Sequence, residues 1–113
     1  MEDIKLTLEE KAANEKLEAR RAKAKSLGAS YEIGIKEDGK VLFLREPDKA
    51  LYDVYFAILD DKDNRPAKET ALKTLTINEV SDIEIFNDYK ALLGAFSQLA
   101  DIMAVKKSTL RKL

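Results

Sequence analysis

The chain of 113 residues has no histidine, no cysteine and no tryptophan, and only four glycines and two prolines. Without His or Cys there is no zinc site built on imidazole or thiolate, and no Ser-His-Asp or Cys-His nucleophilic system. There is no disulfide framework either, which fits a cytoplasmic protein. Gly28, Gly34, Gly39 and Gly94 match the spacing of neither a P-loop nor a dinucleotide fingerprint. Catalysis would have to run on carboxylates, Lys or Tyr, whereas acid–base work near neutral pH most often uses His. The expectation is therefore no enzyme, with no catalytic, cofactor-binding or metal-ligating residue. An excess of one charge is also lacking: 20 basic residues face 21 acidic ones, a formal net charge of −1. Such a balance gives no overall field toward nucleic acid or an anionic membrane. Apolar runs fall far short of a membrane span. The start, MEDIKLTLEEK, is acidic and has no apolar core, so a secretory signal is not expected.

What is present is a globular balance, 45% hydrophobic and 36% charged, in a length suited to one domain. Residues 7–27 read as one charged helix. Thr7 and Glu10 have capping-box spacing, acid leads with Glu9 and Glu10, base trails with Arg20 to Lys25, and Gly28 stops the helix. A seam at 3.5-residue spacing runs Leu6, Glu10, Ala13, Leu17, Arg20, Ala24, Leu27. Two charged members argue against a stable coiled coil. Residues 1–28 are thus expected to form a separate, more mobile helical arm, whose deletion leaves the rest folded. Residues 29–113 form one small domain.

Tyr31 to Lys36 and Val41 to Arg45 alternate around Asp38-Gly39, which predicts a hairpin with a two-residue type I′ turn. That register pairs Glu37 with Lys40, Ile35 with Leu42 and Ile33 with Leu44. It sets Gly34 opposite Phe43 and Glu32 opposite Arg45. Tyr31, Ile33, Ile35, Leu42 and Leu44 share one face. An isolated hairpin is marginal in water, so this one packs on helices. Pro47 ends the strand and Asp48 caps a helix to about Leu59, with Leu51, Val54, Tyr55 and Ile58 as its stripe and Tyr52, Phe56 and Leu59 widening it. The loop Asp60-Asp61-Lys62-Asp63-Asn64-Arg65 lacks the glycine and distal Glu of an EF-hand, so it reads as a solvated connection. Pro66 opens a third helix over 66–76 with Ala71, Leu72 and Leu75 inward. Ser81 or Asp82 caps a short turn at Ile83 to Phe86. A last helix runs from Asn87 or Asp88 to about Val105, striped by Tyr89, Leu92, Leu93, Phe96, Leu99, Ala100 and Met103. Gly94 inside it points to close packing nearby. Lys106 to Leu113 is a basic tail. The fold class is α+β: one β-hairpin packed on a small helical bundle, preceded by a charged N-terminal helix. The expected core is Ile33, Ile35, Leu42, Leu44, Val54, Ile58, Leu72, Leu92, Phe96 and Leu99.

From about Tyr31 onward the chain resembles the phage tail assembly chaperones. The features are a hairpin ending in Arg45-Glu46-Pro47, an aromatic helix and acidic loop over Tyr52 to Asn64, the Asp82-Ile83-Glu84-Ile85 turn, and a final amphipathic helix closing into Lys106-Lys107-x-x-Leu110. Residues 1–28 lie outside the resemblance. It implies a non-enzymatic protein that coats a long helical tape-measure chain until tube protein assembles around it. The features that fit such a role are Phe43, Tyr52, Tyr55 and Phe56, contacting an amphipathic helix by a helix-in-groove or arm-exchange mode, and Leu17 on the N-terminal helix is a further candidate partner contact. Two other classes stand beside it: a small oligomerising adaptor using its N-terminal helix, and a nucleic-acid-associated protein using its basic C-terminal tail.

Overall fold

The computed structural model describes residues 7–59 and 63–113. The expectations for Leu6 and for Asp60 to Lys62 lie outside the described residues. The order of elements is α1 (Leu8–Ser26), β1 (Tyr31–Ile35), β2 (Lys40–Leu44), α2 (Lys49–Ile58), α3 (Arg65–Leu75), two 3-10 turns (Asn78–Val80 and Ile83–Asn87) and α4 (Tyr89–Ile102). This is an α+β domain with a single two-stranded antiparallel sheet among the described residues.

Local chemistry sets the boundaries. Thr7 and Glu10 close a capping box at α1: the Glu10 amide donates to Thr7 Oγ1 at 3.0 Å, and the Thr7 amide to Glu10 Oε2 at 3.3 Å. Gly28, at φ 96°, adopts the left-handed conformation that ends the helix. Asp48 caps α2 through the Leu51 amide, and Asp88 caps α4 through that of Ala91.

The hairpin register differs from expectation by two residues. Ile35 pairs with Lys40, Ile33 with Leu42 and Tyr31 with Leu44. The connection is the four residues Lys36 to Gly39, closed by the Gly39 amide on the Ile35 carbonyl at 2.9 Å. A type I′ turn needs two successive left-handed residues, and Gly39 at φ 66° is the only residue of this loop with positive φ. A slip of two keeps every side chain on its face. Gly34 therefore lies opposite Val41 rather than Phe43, and Glu32 opposite Phe43 rather than Arg45.

The hairpin is the middle of three layers. On one face Ile33, Leu42 and Leu44 join Tyr55, Leu72, Leu75, Ile85, Leu92, Phe96, Leu99 and Met103 in the main core beneath α2, α3 and α4. On the other face Val41 and Phe43 join Ala24, Ile77 and Val80 in a second core, flanked by Leu17, Leu27 and Ala29. This corrects the picture of a separate arm. The lower half of the seam, Leu17, Arg20, Ala24 and Leu27, faces the chain's own sheet. Small Ala24, 1% exposed, lets α1 approach closely.

Segment 75–82 covers the outer edge of β2. The Arg45 amide donates to the Leu75 carbonyl, Ile77 to Phe43 and Asp82 to Val41, all at 2.8–2.9 Å. The remaining strand amides are met by side chains: Val41 N–H by Asp82 Oδ2 and Phe43 N–H by Ser81 Oγ, both at 2.9 Å. Ser81 and Asp82 thus act as strand mimics and make no capping bond to the following turn. Arg20 ties α1 to the same corner, donating to the Val80 carbonyl at 2.7 Å and pairing with Asp82 at 3.2 Å.

Three core assignments change. Val54 is 58% exposed, and Ile35 and Ile58 are half-buried. The apolar arc of α2 is wider than the face it can bury, so Leu51 and Tyr55 turn inward and Val54 is left on the flank. In α4 the buried line is Ala91, Leu92, Ala95, Phe96 and Leu99, while Tyr89 and Leu93 are exposed.

Candidate partner-binding surfaces

The five side chains expected to meet a partner do not form one surface. Phe43 is 3% exposed, closed in by α1 with the Arg20 guanidinium 5.8 Å from its ring centroid. Leu17 packs on the same cluster. These two belong to the intramolecular joint between α1 and the sheet. Phe43 is therefore closed off while α1 is in place, because burying it is how α1 is held.

Tyr52, Tyr55 and Phe56 do come together. Helical spacing puts Tyr52 and Phe56 one turn apart, and their rings lie stacked with centroids 6.3 Å apart and planes at 14°. Tyr55 meets Phe56 edge-on at 5.5 Å. Their burial differs sharply. Tyr55 is buried and forms the floor, with its phenol pushed up by burial. Tyr52 is half-buried, and Phe56 is 44% exposed. Leu59 continues the edge one turn on. The result is an aromatic ledge on α2 with Tyr55 as its support. Tyr52 also borders an open recess of about 600 Å³ lined by Tyr31, Glu46, Ile102 and Val105. The Glu46 carboxylate beside Tyr31 holds that phenol above its ordinary range.

A second apolar hollow, about 370 Å³, lies between the start of α3 and α4, with Phe86, Tyr89, Leu92 and Phe96 on its walls. Arg65 organises its rim, donating to the Tyr89 hydroxyl at 2.8 Å and holding the Asp63 carboxyl down to about 2. Sequence reasoning put Tyr89 on the apolar stripe of the last helix, outside the expected core, and missed this hollow. The usable signal was its position in the first turn of α4, at the end of the stripe.

Among the described residues no cluster of three or more acidic side chains is placed to hold a metal ion, and no helix is long and apolar enough to cross a membrane. Comparison with family models, with curated proteins and with solved structures yields no match.

Proposed function

We propose that the protein is a non-enzymatic assembly chaperone that covers the apolar stripe of a long amphipathic helical protein, of the tape-measure kind, through the ledge on α2. The observation that carries this reading is the stacked Tyr52–Phe56 pair, held out toward solvent on a buried Tyr55. Large aromatic rings at i and i+4 with Leu59 beyond them match the i, i+4, i+7 anchors by which one helix face reads another. A helix with an exposed apolar stripe aggregates, and a small protein that covers it reversibly needs a flat apolar ledge. A closed pocket would not serve. The near-neutral net charge of −1 leaves the interaction dominated by this apolar contact.

Co-expression with a long, aggregation-prone amphipathic helical protein of the tape-measure kind is the test. The partner is expected to become soluble and to co-purify. Phe56→Asp should weaken capture by at least about tenfold, because interface aromatics near the centre of a contact carry much of its energy. The same variant should keep its thermal midpoint, since the ring is already half in solvent. A partner that is soluble alone and captures nothing refutes the reading. So does capture that Phe56→Asp leaves unchanged.

A further inference from the structure

The last segment of the chain takes no part in either core. α4 ends at Ile102, and residues 104–113 carry neither helix nor strand and are exposed along their whole length. Val105 is 69% exposed, and Leu110 and Leu113 stand fully in solvent. Residues 106–113 include four cations, Lys106, Lys107, Arg111 and Lys112, and no acidic side chain. None of the four makes a salt bridge among the described residues. A tail that served solubility alone would carry its charges without large apolar side chains. This one interleaves them with leucines.

The tail leaves from the lip of the recess beside the α2 ledge. Val105 and Lys106 line that recess together with Tyr31, Tyr52, Glu46 and Asp101. Its border is acidic. Glu46 and Asp101 are exposed and make no salt bridge among the described residues. Asp101 lies in the last turn of α4, where the free carbonyls already gather negative charge, and no basic residue accompanies it in that turn. Two carboxylates and a helix C-terminus thus border a floor made by Tyr31, Tyr52 and Ile102. Such a surface complements a strand of cations interleaved with leucines.

We propose that residues 106–113 are a strap that closes over this recess and onto the ledge, with Leu110 against Tyr52, Leu113 against Phe56, and the cations of the tail against Glu46 and Asp101. The reach is sufficient. A recess of about 600 Å³ is about 10 Å across, and the four steps from Lys106 to Leu110 span at most about 14 Å. The Phe56 ring lies 6.3 Å from that of Tyr52. The three steps from Leu110 to Leu113 cover at most about 10 Å, which is enough to bridge the two rings. The tether holds the tail near its site at an effective concentration in the mM range, so a contact too weak to retain a free peptide is populated. The structure shows the open form, and the closed form differs from it in the tail alone. Closing covers the two rings assigned above to a helical partner, so tail and partner compete for the ledge. That competition rests on the proposed function; the closing itself does not.

The chain has no cysteine, so Ser108→Cys offers a single place for a nitroxide label within the tail. The label should broaden the backbone amide signals of Tyr52 and Phe56 several-fold more than in a labelled chain that also carries Leu110→Ser and Leu113→Ser. Glu46→Gln with Asp101→Asn should relieve the broadening, and so should raising salt from about 0.05 M to about 0.5 M, which screens the attraction. All these side chains are exposed, so the variants keep the fold and its circular dichroism. For the competition, a chain ending at Val105 should capture a helical protein of the tape-measure kind several-fold better than the full chain. Equal capture by the two overturns the competition, whereas capture by neither refutes the partner reading and not the strap. The strap is decided by the label. Broadening that is the same with and without the two leucines overturns it, as does indifference to the carboxylate variants. So does broadening that appears when labelled chains are mixed with isotope-enriched, unlabelled ones, since the tail of a second copy would then be the occupant.

Discussion

Removing residues 1–28 strips α1 from the outer face of the sheet and so tests whether that helix is an arm or part of the fold. It uncovers Val41, Phe43, Ile77 and Val80, now almost fully buried, and frees the Val80 carbonyl and Asp82 from Arg20. Full exposure of a Val, Ile or Phe side chain forfeits about 1.5–3 kcal/mol. Each of the four keeps its contacts within the sheet layer and loses its cover from α1, so half of that figure applies to each. The sum is roughly 3–6 kcal/mol. Ordering a largely solvated, alanine-rich helix costs conformational entropy, which brings the net loss toward about 3 kcal/mol. For a domain whose whole stability is about 5–15 kcal/mol, that is a large share. With a urea dependence of about 1–3 kcal/mol per molar, the midpoint should fall by about 1–3 M. Urea unfolding of the full chain and of residues 29–113, followed by tyrosine fluorescence, measures it. A midpoint within about 0.3 M of the full chain would show that α1 contributes no net cover, and that Phe43 is free for a partner after all.

Three further outcomes follow from the packing. Phe96→Ala opens the centre of the main core and should cost about 3–5 kcal/mol, read from the same urea curves, and an unchanged midpoint would contradict the packing of α4. Asp82→Ala leaves the Val41 amide without its acceptor and Arg20 without its anion, and should cost about 1–3 kcal/mol, with faster hydrogen exchange at Val41 as its local signature. Glu32 has its carboxyl lowered by hydrogen bonds from Arg21 and by that residue's charge. A lowered folded value means a contribution present above the ordinary Glu range and lost as pH falls through the folded value, so the stability gap between the wild type and Arg21→Gln should be full near neutrality and close below about pH 4. A gap that persists unchanged at about pH 2 would contradict the ion pair.

The elements themselves were legible because each announces its ends locally. Thr7 and Glu10, Gly28, Asp48, Pro66 and Asp88 act within a few residues of themselves, so spacing alone places α1 to α4. Face alternation in the hairpin survived a register error, since a slip of two residues returns every side chain to the same side. The loop type was not legible: Asp38-Gly39 supports more than one connection, and the choice rests on whether Asp38 is forced into a left-handed conformation. Of the candidate site, the neighbourhood of Tyr52, Tyr55 and Phe56 followed from helical spacing, but their division into floor and ledge did not. An apolar arc wider than one contact face does not say which of its members will find cover.

What the sequence by itself determined is the four helices and one hairpin in their order, and with them the α+β class. Those are consequences of capping, turn and periodicity chemistry acting over short range. Only the tertiary structure decided that Phe43 and Leu17 close an internal joint while Phe56 faces solvent. It also decided that Ser81 and Asp82 serve a strand edge rather than a helix end, and that no distant segment packs closely on Gly94, where a Cβ would meet nothing within 4 Å. Each of these depends on residues brought together from distant parts of the chain, such as Arg20 with Val80 and Asp82, or Val41 with Asp82. Burial is a property of the pair of surfaces that meet, and a single strip of sequence carries only one of them.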